Sequence, residues 1–200
     1  MPRTPFPICP VLRRWTRLGI VLPATLAMAF MAATSFTPAR AALPTGSTAP
    51  LFDTQASLGG KEFHFTLADA LRHGPVVLYF YPAAFTRGCT IEAHDFADAM
   101  DEFRALGATV IGVSMDKIET LDKFSVSECR SRFAVASDAT GKIATAYDSK
   151  MPLVRYASRT SYVIAPDGRI LFAYSAMAPA GHITGTLAAL RDWKKTTGAN

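Results

Sequence analysis

The sequence predicts an α/β domain in which a mixed central sheet is flanked by helices. Through most of the chain, apolar β-branched segments alternate with segments of helical periodicity, which favours parallel strands joined by helices. Residues 158–176 break this alternation, because two strand-like segments there are separated only by the turn sequence Pro166-Asp167-Gly168. Such a turn predicts an antiparallel hairpin after the parallel part of the sheet.

The individual elements follow from local patterns. Residues 75–82 (PVVLYFYP) are apolar without alternation, which is typical of a central strand buried on both faces. Residues 90–107 carry apolar side chains at helical spacing and end at a glycine, which is a common helix stop. After a flexible lead-in at 42–50, the predicted elements are strands at 60–65, 75–82, 108–116 and 133–138, helices at 66–74, 90–107, 117–132 and 140–148, the hairpin at 158–176 and a last helix at 182–195. This order is that of a thioredoxin-like fold.

The net charge of +5 belongs to the first 41 residues. They contain five arginines and no acidic residue, so subtracting five from the total of 21 leaves 16 basic against 16 acidic side chains in the rest of the chain. A neutral domain gives no reason to expect nucleic-acid binding.

The same 41 residues have the layout of a secretory signal. Arginines at 13, 14 and 17 precede an apolar run at 18–33, and the small residues of Ala39-Arg40-Ala41 follow. We therefore predict a cleavable signal peptide at 1–41, a mature domain at 42–200 and export to the periplasm. An uncleaved inner-membrane anchor is the alternative, although the run is short and interrupted by Pro23. The pair of arginines also leaves open a twin-arginine export route.

Two cysteines remain after the predicted cleavage. Cys9 is lost with the leader, which leaves Cys89 and Cys129. An even pair in an oxidising compartment is a candidate disulfide, but two thiols are too few for a disulfide scaffold and instead suggest a functional pair. The four histidines are scattered without metal-ligand spacing, so no metal site is expected.

The chemistry is concentrated at residues 80–93 (FYPAAFTRGCTIEA). Cys89 stands at a predicted strand-to-helix turn, where unpaired backbone N–H groups and the helix dipole favour a thiolate. A Cys-x-x-Cys motif would need a second cysteine at position 86, where this chain has Thr86. The Thr86 hydroxyl can instead form a hydrogen bond at the Cys89 sulfur. Pro82 stiffens the loop before the cysteine. A single activated thiolate suits attack on a small electrophile. Glu92 is either part of this site or an ordinary acidic residue near a helix N-terminus.

This segment resembles the active-site motif of the peroxiredoxins, Pro-x-x-x-Thr-x-x-Cys, and the longer string is similar to the bacterioferritin-comigratory, or Q-type, branch. The resemblance extends to TAPLFD at 48–53 and SRTSYVIAPDGRI at 158–170. It implies a thioredoxin-like fold and a thiol-dependent peroxidase that reduces hydrogen peroxide and small organic hydroperoxides. It also implies that no metal or organic cofactor takes part.

The resemblance assigns roles to individual residues. Cys89 would be the peroxidatic cysteine, which becomes a sulfenic acid, with Thr86 positioning the peroxide and Pro82 shielding the intermediate. Arg159 matches the active-site arginine of the family, whose charge would hold the thiolate and stabilise the breaking bond. Arg155 is close enough in sequence to be an alternative.

Resolution of the sulfenic acid is less directly implied. Many Q-type members carry a second cysteine five residues after the first, but here that position is His94. Cys129, in the predicted helix 117–132, resembles the resolving cysteine of other members, which implies an intramolecular disulfide with Cys89. The Cα atoms of a disulfide lie within about 7 Å, so local unwinding is expected, helped by the low helix propensity of residues 125–127. Resolution by an external thiol and a static structural disulfide are the alternatives.

The expected partners are a peroxide and a thiol reductant such as a thioredoxin-like protein, and the chain is expected to be a monomer or weak dimer. Two other functions stay open from the residues alone. A disulfide exchanger would use Cys89 and Cys129 on protein disulfides. A redox-sensing module would change shape on oxidation of Cys89 without turnover.

Overall fold

A computed structural model describes residues 42–198 of the protein. The predicted signal peptide at 1–41, with Cys9, lies outside the described residues. The strands are β1 Asp53–Leu58, β2 Lys61–Thr66, β3 Val76–Phe80, β4 Thr109–Ser114, β5 Ala134–Ser137, β6 Thr160–Ile164 and β7 Ile170–Ser175. The helices are α1 Leu67–His73, α2 Arg87–Ala105, α3 Ile118–Ser127, α4 Lys142–Ala146 and α5 Ala180–Thr197.

All seven strands form one mixed sheet in the order β2-β1-β5-β4-β3-β6-β7. Strands β3, β4 and β5 are parallel, whereas β6 and β7 form the antiparallel hairpin and β6 pairs antiparallel with β3. The predicted α/β class with a mixed sheet flanked by helices is confirmed. The predicted central strand is also confirmed, since every residue of β3 is buried.

Helices cover both faces of the sheet because side chains alternate along each strand. Val77 and Tyr79 of β3 point into one apolar core, which also contains buried residues of α2, α3 and α5. Val76, Leu78 and Phe80 point into the other core, against α1 and α4. Both mature cysteines belong to the first core.

The sequence did not predict β1. Its residues DTQASL are partly polar, yet they pair antiparallel with both β2 and β5. The turn into β2 uses Gly59 and Gly60 at φ 57° and 77°, a left-handed conformation that glycine adopts without a steric penalty. The strand therefore forms through its partners and its turn rather than through an apolar pattern.

The prediction that Cys129 lies within a helix is wrong. Helix α3 ends at Ser127, and Cys129 lies in the turn that follows. Arg130 and Ser131 have φ of 51° and 55°, which a right-handed helix cannot accommodate. The backbone N–H groups of Glu128 and Cys129 both donate to the Phe124 carbonyl and close the helix end.

Helix α2 begins at Arg87, three residues earlier than predicted, so Cys89 lies within its first turn.

Among residues 42–198, no helix combines the length and apolar character that a membrane crossing requires.

Candidate functional site

The first turn of α2 positions Cys89. Thr86 is the N-cap with extended backbone angles, and Cys89 is the third helical residue, where backbone N–H groups have no partner within the helix. The sulfur therefore lies at the positive end of the helix dipole, as predicted. Only 2% of Cys89 is exposed, so the thiol lies beneath the surface of the site.

The loop before α2 is fixed to the end of β4. Ala84 donates its backbone N–H to Oδ2 of Asp116 at 2.7 Å, and the Ser114 hydroxyl donates to the same oxygen at 2.8 Å. Phe85, at φ 63°, packs edge-on against Phe124 with ring centroids 5.2 Å apart. Pro82, which is half-buried, stands at the start of this loop, as predicted.

Thr86 is exposed, and its hydroxyl donates to the Ala83 carbonyl at 3.0 Å. A hydroxyl has one proton, so Thr86 does not also donate to the Cys89 sulfur in this arrangement. The oxygen of Thr86 keeps its acceptor capacity and can receive a hydrogen bond from a bound ligand.

Arg159 reaches Cys89 from the residue before β6. Its Nη2 lies 3.5 Å from the Cys89 sulfur, although the two residues are 70 positions apart. A β-carbon at Gly88 would lie 3.0 Å from Nη2, so glycine at this position leaves room for the guanidinium. The Nε–H of Arg159 donates to the Met177 carbonyl at 3.0 Å, and only 3% of the residue is exposed.

Glu92 lies beside Arg159 and is not an exposed acidic residue near a helix N-terminus. It is fully buried one turn after Cys89, and its Oε2 accepts a hydrogen bond from Nη1 of Arg159. Its Oε1 has no hydrogen-bond partner among the described residues. Burial raises the pKa of Glu92 to about 8, against the opposing effect of the Arg159 charge. One buried guanidinium therefore contacts both a thiol and a carboxyl group.

Arg155, the alternative to Arg159, points elsewhere. It is exposed and donates to the Ala139 carbonyl at 3.0 Å. Of the two arginines near the start of β6, Arg159 is the one that contacts Cys89.

Cys129 is a free, fully buried thiol in the same apolar core as Cys89, which is also free. Burial, and secondarily the Glu128 charge, raises the pKa of Cys129, so the thiol form is strongly favoured in this position. Glu128 itself pairs with His94 of α2 at 3.0 Å. Resolution by Cys129 would therefore require it to leave its buried position.

Sequence patterns gave no indication of His182. It is fully buried in α5, with Nδ1 3.9 Å from Oε1 of Glu92. A lone histidine in an amphipathic helix has no recognisable spacing to Cys89 or Arg159, so only the packing of α5 against the sheet brings it near them. Within the described part of the chain, no group of three or more His, Cys, Asp or Glu residues could hold a metal ion.

Comparison with known proteins places this site in a family. Residues 45–173 match the model of the AhpC/TSA family. Peroxiredoxin Bcp of Xanthomonas campestris is 32% identical over 153 residues, which cover 74% of this chain and 94% of that protein. The chloroplastic peroxiredoxin Q of Oryza sativa subsp. japonica is 33% identical over 176 residues, covering 82% and 81%.

The fold agrees with a solved structure. Peroxidoxin BcpB from Mycobacterium tuberculosis has a TM-score of 0.69 at 34% identity, covering 75% of this chain and 97% of that chain. The predicted thioredoxin-like fold and the predicted Q-type resemblance are both confirmed. The chain therefore belongs to the AhpC/TSA family, in its Bcp and Q branch of peroxiredoxins, and is a thiol-dependent peroxidase.

Proposed function

We propose that the enzyme reduces hydrogen peroxide and small organic hydroperoxides through Cys89 as the peroxidatic thiol. The observation that carries this proposal is the 3.5 Å contact between the Cys89 sulfur and Nη2 of Arg159 at the start of α2. A buried guanidinium and a helix N-terminus both stabilise negative charge on that sulfur. Thr86 and Pro82 complete the site, with Thr86 accepting a hydrogen bond from the peroxide and Pro82 shielding the product.

The chemical step is a displacement at oxygen. The Cys89 thiolate attacks the terminal oxygen of the peroxide, an S–O bond forms as the O–O bond breaks, and Cys89 becomes a sulfenic acid. The leaving group departs as hydroxide or alkoxide and takes a proton from water. Arg159 is already in place to stabilise the charge that moves from sulfur to the leaving oxygen.

The depth of Cys89 supports small substrates. Only 2% of Cys89 is exposed, so a small molecule reaches the sulfur with less displacement of the surrounding residues than a bulky one. A bulky electrophile would have to displace the loop that Asp116 holds in place.

We propose that Cys129 resolves the sulfenic acid. Its sulfur, once deprotonated, attacks Cys89, so that a disulfide forms and water leaves. A thiol reductant such as a thioredoxin-like protein then restores both thiols by thiol–disulfide exchange. The shared apolar core supports this pairing, and the left-handed residues Arg130 and Ser131 supply a strained turn from which Cys129 can move.

We also propose that residues 1–41 export the enzyme to the periplasm as a cleaved signal peptide, with an inner-membrane anchor as the alternative. The support is the arginine-rich start, the apolar run and the small residues at 39 and 41. In solution we expect a monomer or a weak dimer.

Cys89→Ser is expected to reduce peroxide consumption to the uncatalysed rate, because serine supplies no thiolate. Cys129→Ser is the matched control: it should keep the rate constant of the first, single-turnover oxidation within about twofold of wild type, since Cys129 takes no part in that step. Peroxide consumption with a thiol reductant and stopped-flow oxidation measure the two effects. Retained turnover in Cys89→Ser would contradict the assignment of Cys89 as the peroxidatic thiol.

One equivalent of peroxide added to the reduced protein is expected to give an intramolecular Cys89–Cys129 disulfide, because the two thiols share one core. Peptide mapping by mass spectrometry identifies the product. A stable sulfenic acid at Cys89 with Cys129 still free would instead indicate resolution by an external thiol.

Glu92 is expected to impose a pH dependence on the oxidation of Cys89. Below its pKa of about 8 the carboxyl is protonated and the Arg159 charge serves the thiolate, whereas above that pH a second anion competes for the guanidinium. The oxidation rate constant per thiolate should therefore fall as pH rises through about 8.

Glu92→Gln, which keeps an oxygen acceptor for Arg159 but cannot ionise, should abolish this fall. Glu92→Ala removes the acceptor and is expected to slow oxidation at every pH. Stopped-flow rates across this pH range provide the measurement, and identical profiles for wild type and Glu92→Gln would refute the coupling.

The mature protein is expected to begin at Ala42. N-terminal sequencing of protein from the periplasmic fraction tests this prediction, with Ala41→Phe as the variant that should block cleavage. An intact N-terminus in a membrane fraction would support the anchor. Export that is unaffected by replacing Arg13 and Arg14 with lysine would exclude the twin-arginine route.

A further inference from the structure

Both ring nitrogens of His182 hydrogen bond to residues near Arg159, one to a backbone carbonyl and one to a side-chain hydroxyl. Nε2 lies 2.9 Å from the Ala176 carbonyl and Nδ1 lies 2.8 Å from the Ser161 hydroxyl. A carbonyl only accepts, so Nε2 carries the proton, and in the neutral ring Nδ1 accepts from Ser161. The Tyr174 ring packs at an angle of 70° with its centroid 4.8 Å away.

The chain segment that His182 holds is the one that holds Arg159. Ala176 donates its backbone N–H to the Arg159 carbonyl at 3.2 Å, and the next residue, Met177, accepts from Nε of Arg159 at 3.0 Å. The His182 bond to the Ala176 carbonyl therefore fixes the peptide unit between these two contacts. This segment follows the end of β7, beyond the last residue pair of the β6–β7 ladder, Thr160 with Ser175.

The charges around His182 favour its neutral form. The titratable groups that face it are Glu92 from α2 and Arg159, the residue before β6, while Ser161 and Tyr174 also contact the ring. Burial lowers the pKa of His182, the hydrogen bond to Ala176 opposes this, and the Arg159 charge lowers it further. With the ring neutral, Arg159 is the positively charged group that donates a hydrogen bond to Glu92.

We propose that His182 is a positioning residue for peroxide reduction, which acts by holding the Met177 carbonyl where it aligns the Arg159 guanidinium with the Cys89 sulfur. Two donors of Arg159 are fixed by the protein, Nε by Met177 and Nη1 by Glu92, and the remaining Nη2 is thereby directed at sulfur. The inference rests on the proposed role of Cys89 as the peroxidatic thiol.

A matched pair of amide variants separates the two bonds of His182. In His182→Gln the amide N–H₂ can replace the Nε2 donor to Ala176, whereas the shorter side chain of His182→Asn replaces only the Nδ1 side of the ring. We expect His182→Asn to lower the oxidation rate constant of Cys89 with hydrogen peroxide by about tenfold, and His182→Gln to stay within about threefold of wild type. Should His182→Asn fail to fold, His182→Met, which also lacks the donor, takes its place with the same expected result.

A second readout excludes a merely structural effect. Alkylation of Cys89 by iodoacetamide needs the thiolate but breaks no O–O bond, so misalignment of Arg159 should reduce the peroxide rate more than the alkylation rate. Equal losses in both reactions would overturn the proposal. So would a His182→Gln variant as slow as His182→Asn.

A double-mutant cycle tests whether His182 acts through Arg159. In an Arg159→Lys background, which lacks the fork of donors, His182→Asn is expected to have no further effect on the peroxide rate. An undiminished tenfold loss in that background would show that His182 acts independently of Arg159. If Cys89→Ser is inactive while His182→Asn is normal, only the role of His182 is refuted, whereas an active Cys89→Ser refutes the proposed function itself.

Discussion

The buried guanidinium of Arg159 is the constraint on which the rest of the site depends. A charge removed from water must be paired and hydrogen bonded, and here Glu92, Cys89 and the Met177 carbonyl supply those partners. The partners come from two parts of the fold, since α2 carries Cys89 and Glu92 and the segment after β7 carries Met177, while Arg159 itself is the residue before β6. The register between β3 and β6, which pairs Phe80 with Thr160, brings these parts together beside the active-site loop.

Sharing one cation between two acidic groups has a chemical consequence. If both Cys89 and Glu92 were ionised, Arg159 would neutralise only one of them. The raised pKa of Glu92 removes this competition at neutral pH, because the protonated carboxyl still accepts a hydrogen bond from Nη1 without adding a negative charge. The site thus keeps the arginine oriented and leaves its charge for the sulfur.

Burial affects Cys129 as well as Cys89, and it opposes the proposed resolution of the sulfenic acid by Cys129. Cys129 is fully buried with a raised pKa, which makes it a poor nucleophile where it lies. The turn that holds it contains two left-handed residues, Arg130 and Ser131, and the end of α3 beside it is closed by bonds to a single carbonyl. The proposed movement of Cys129 would therefore start from a short left-handed turn and not from within a regular helix.

Local patterns were sufficient to predict the α/β class, the central strand β3 and the position of Cys89 near a helix N-terminus, because each depends on neighbouring residues. The sequence did not predict β1, since its partly polar residues form a strand only through pairing with β2 and β5. The predicted helix at 117–132 is longer than α3, because the composition of residues 128–132 does not indicate the left-handed turn. Arg159 was chosen over Arg155 by resemblance alone, and only the register of β6 shows which of them contacts the sulfur.

The sequence by itself was enough to predict the chemistry: a single cysteine after Pro82 and Thr86, at a strand-to-helix turn, indicates a thiolate suited to attack on a small electrophile. Tertiary structure alone decided how that thiolate is supported. The alignment of Arg159 depends on contacts between residues that are far apart in the chain: Glu92 and Arg159 are 67 positions apart, Cys89 and Arg159 are 70 apart, and Glu92 and His182 are 90 apart (182 minus 92). Such contacts arise from strand register and helix packing, which leave no periodic trace in the sequence.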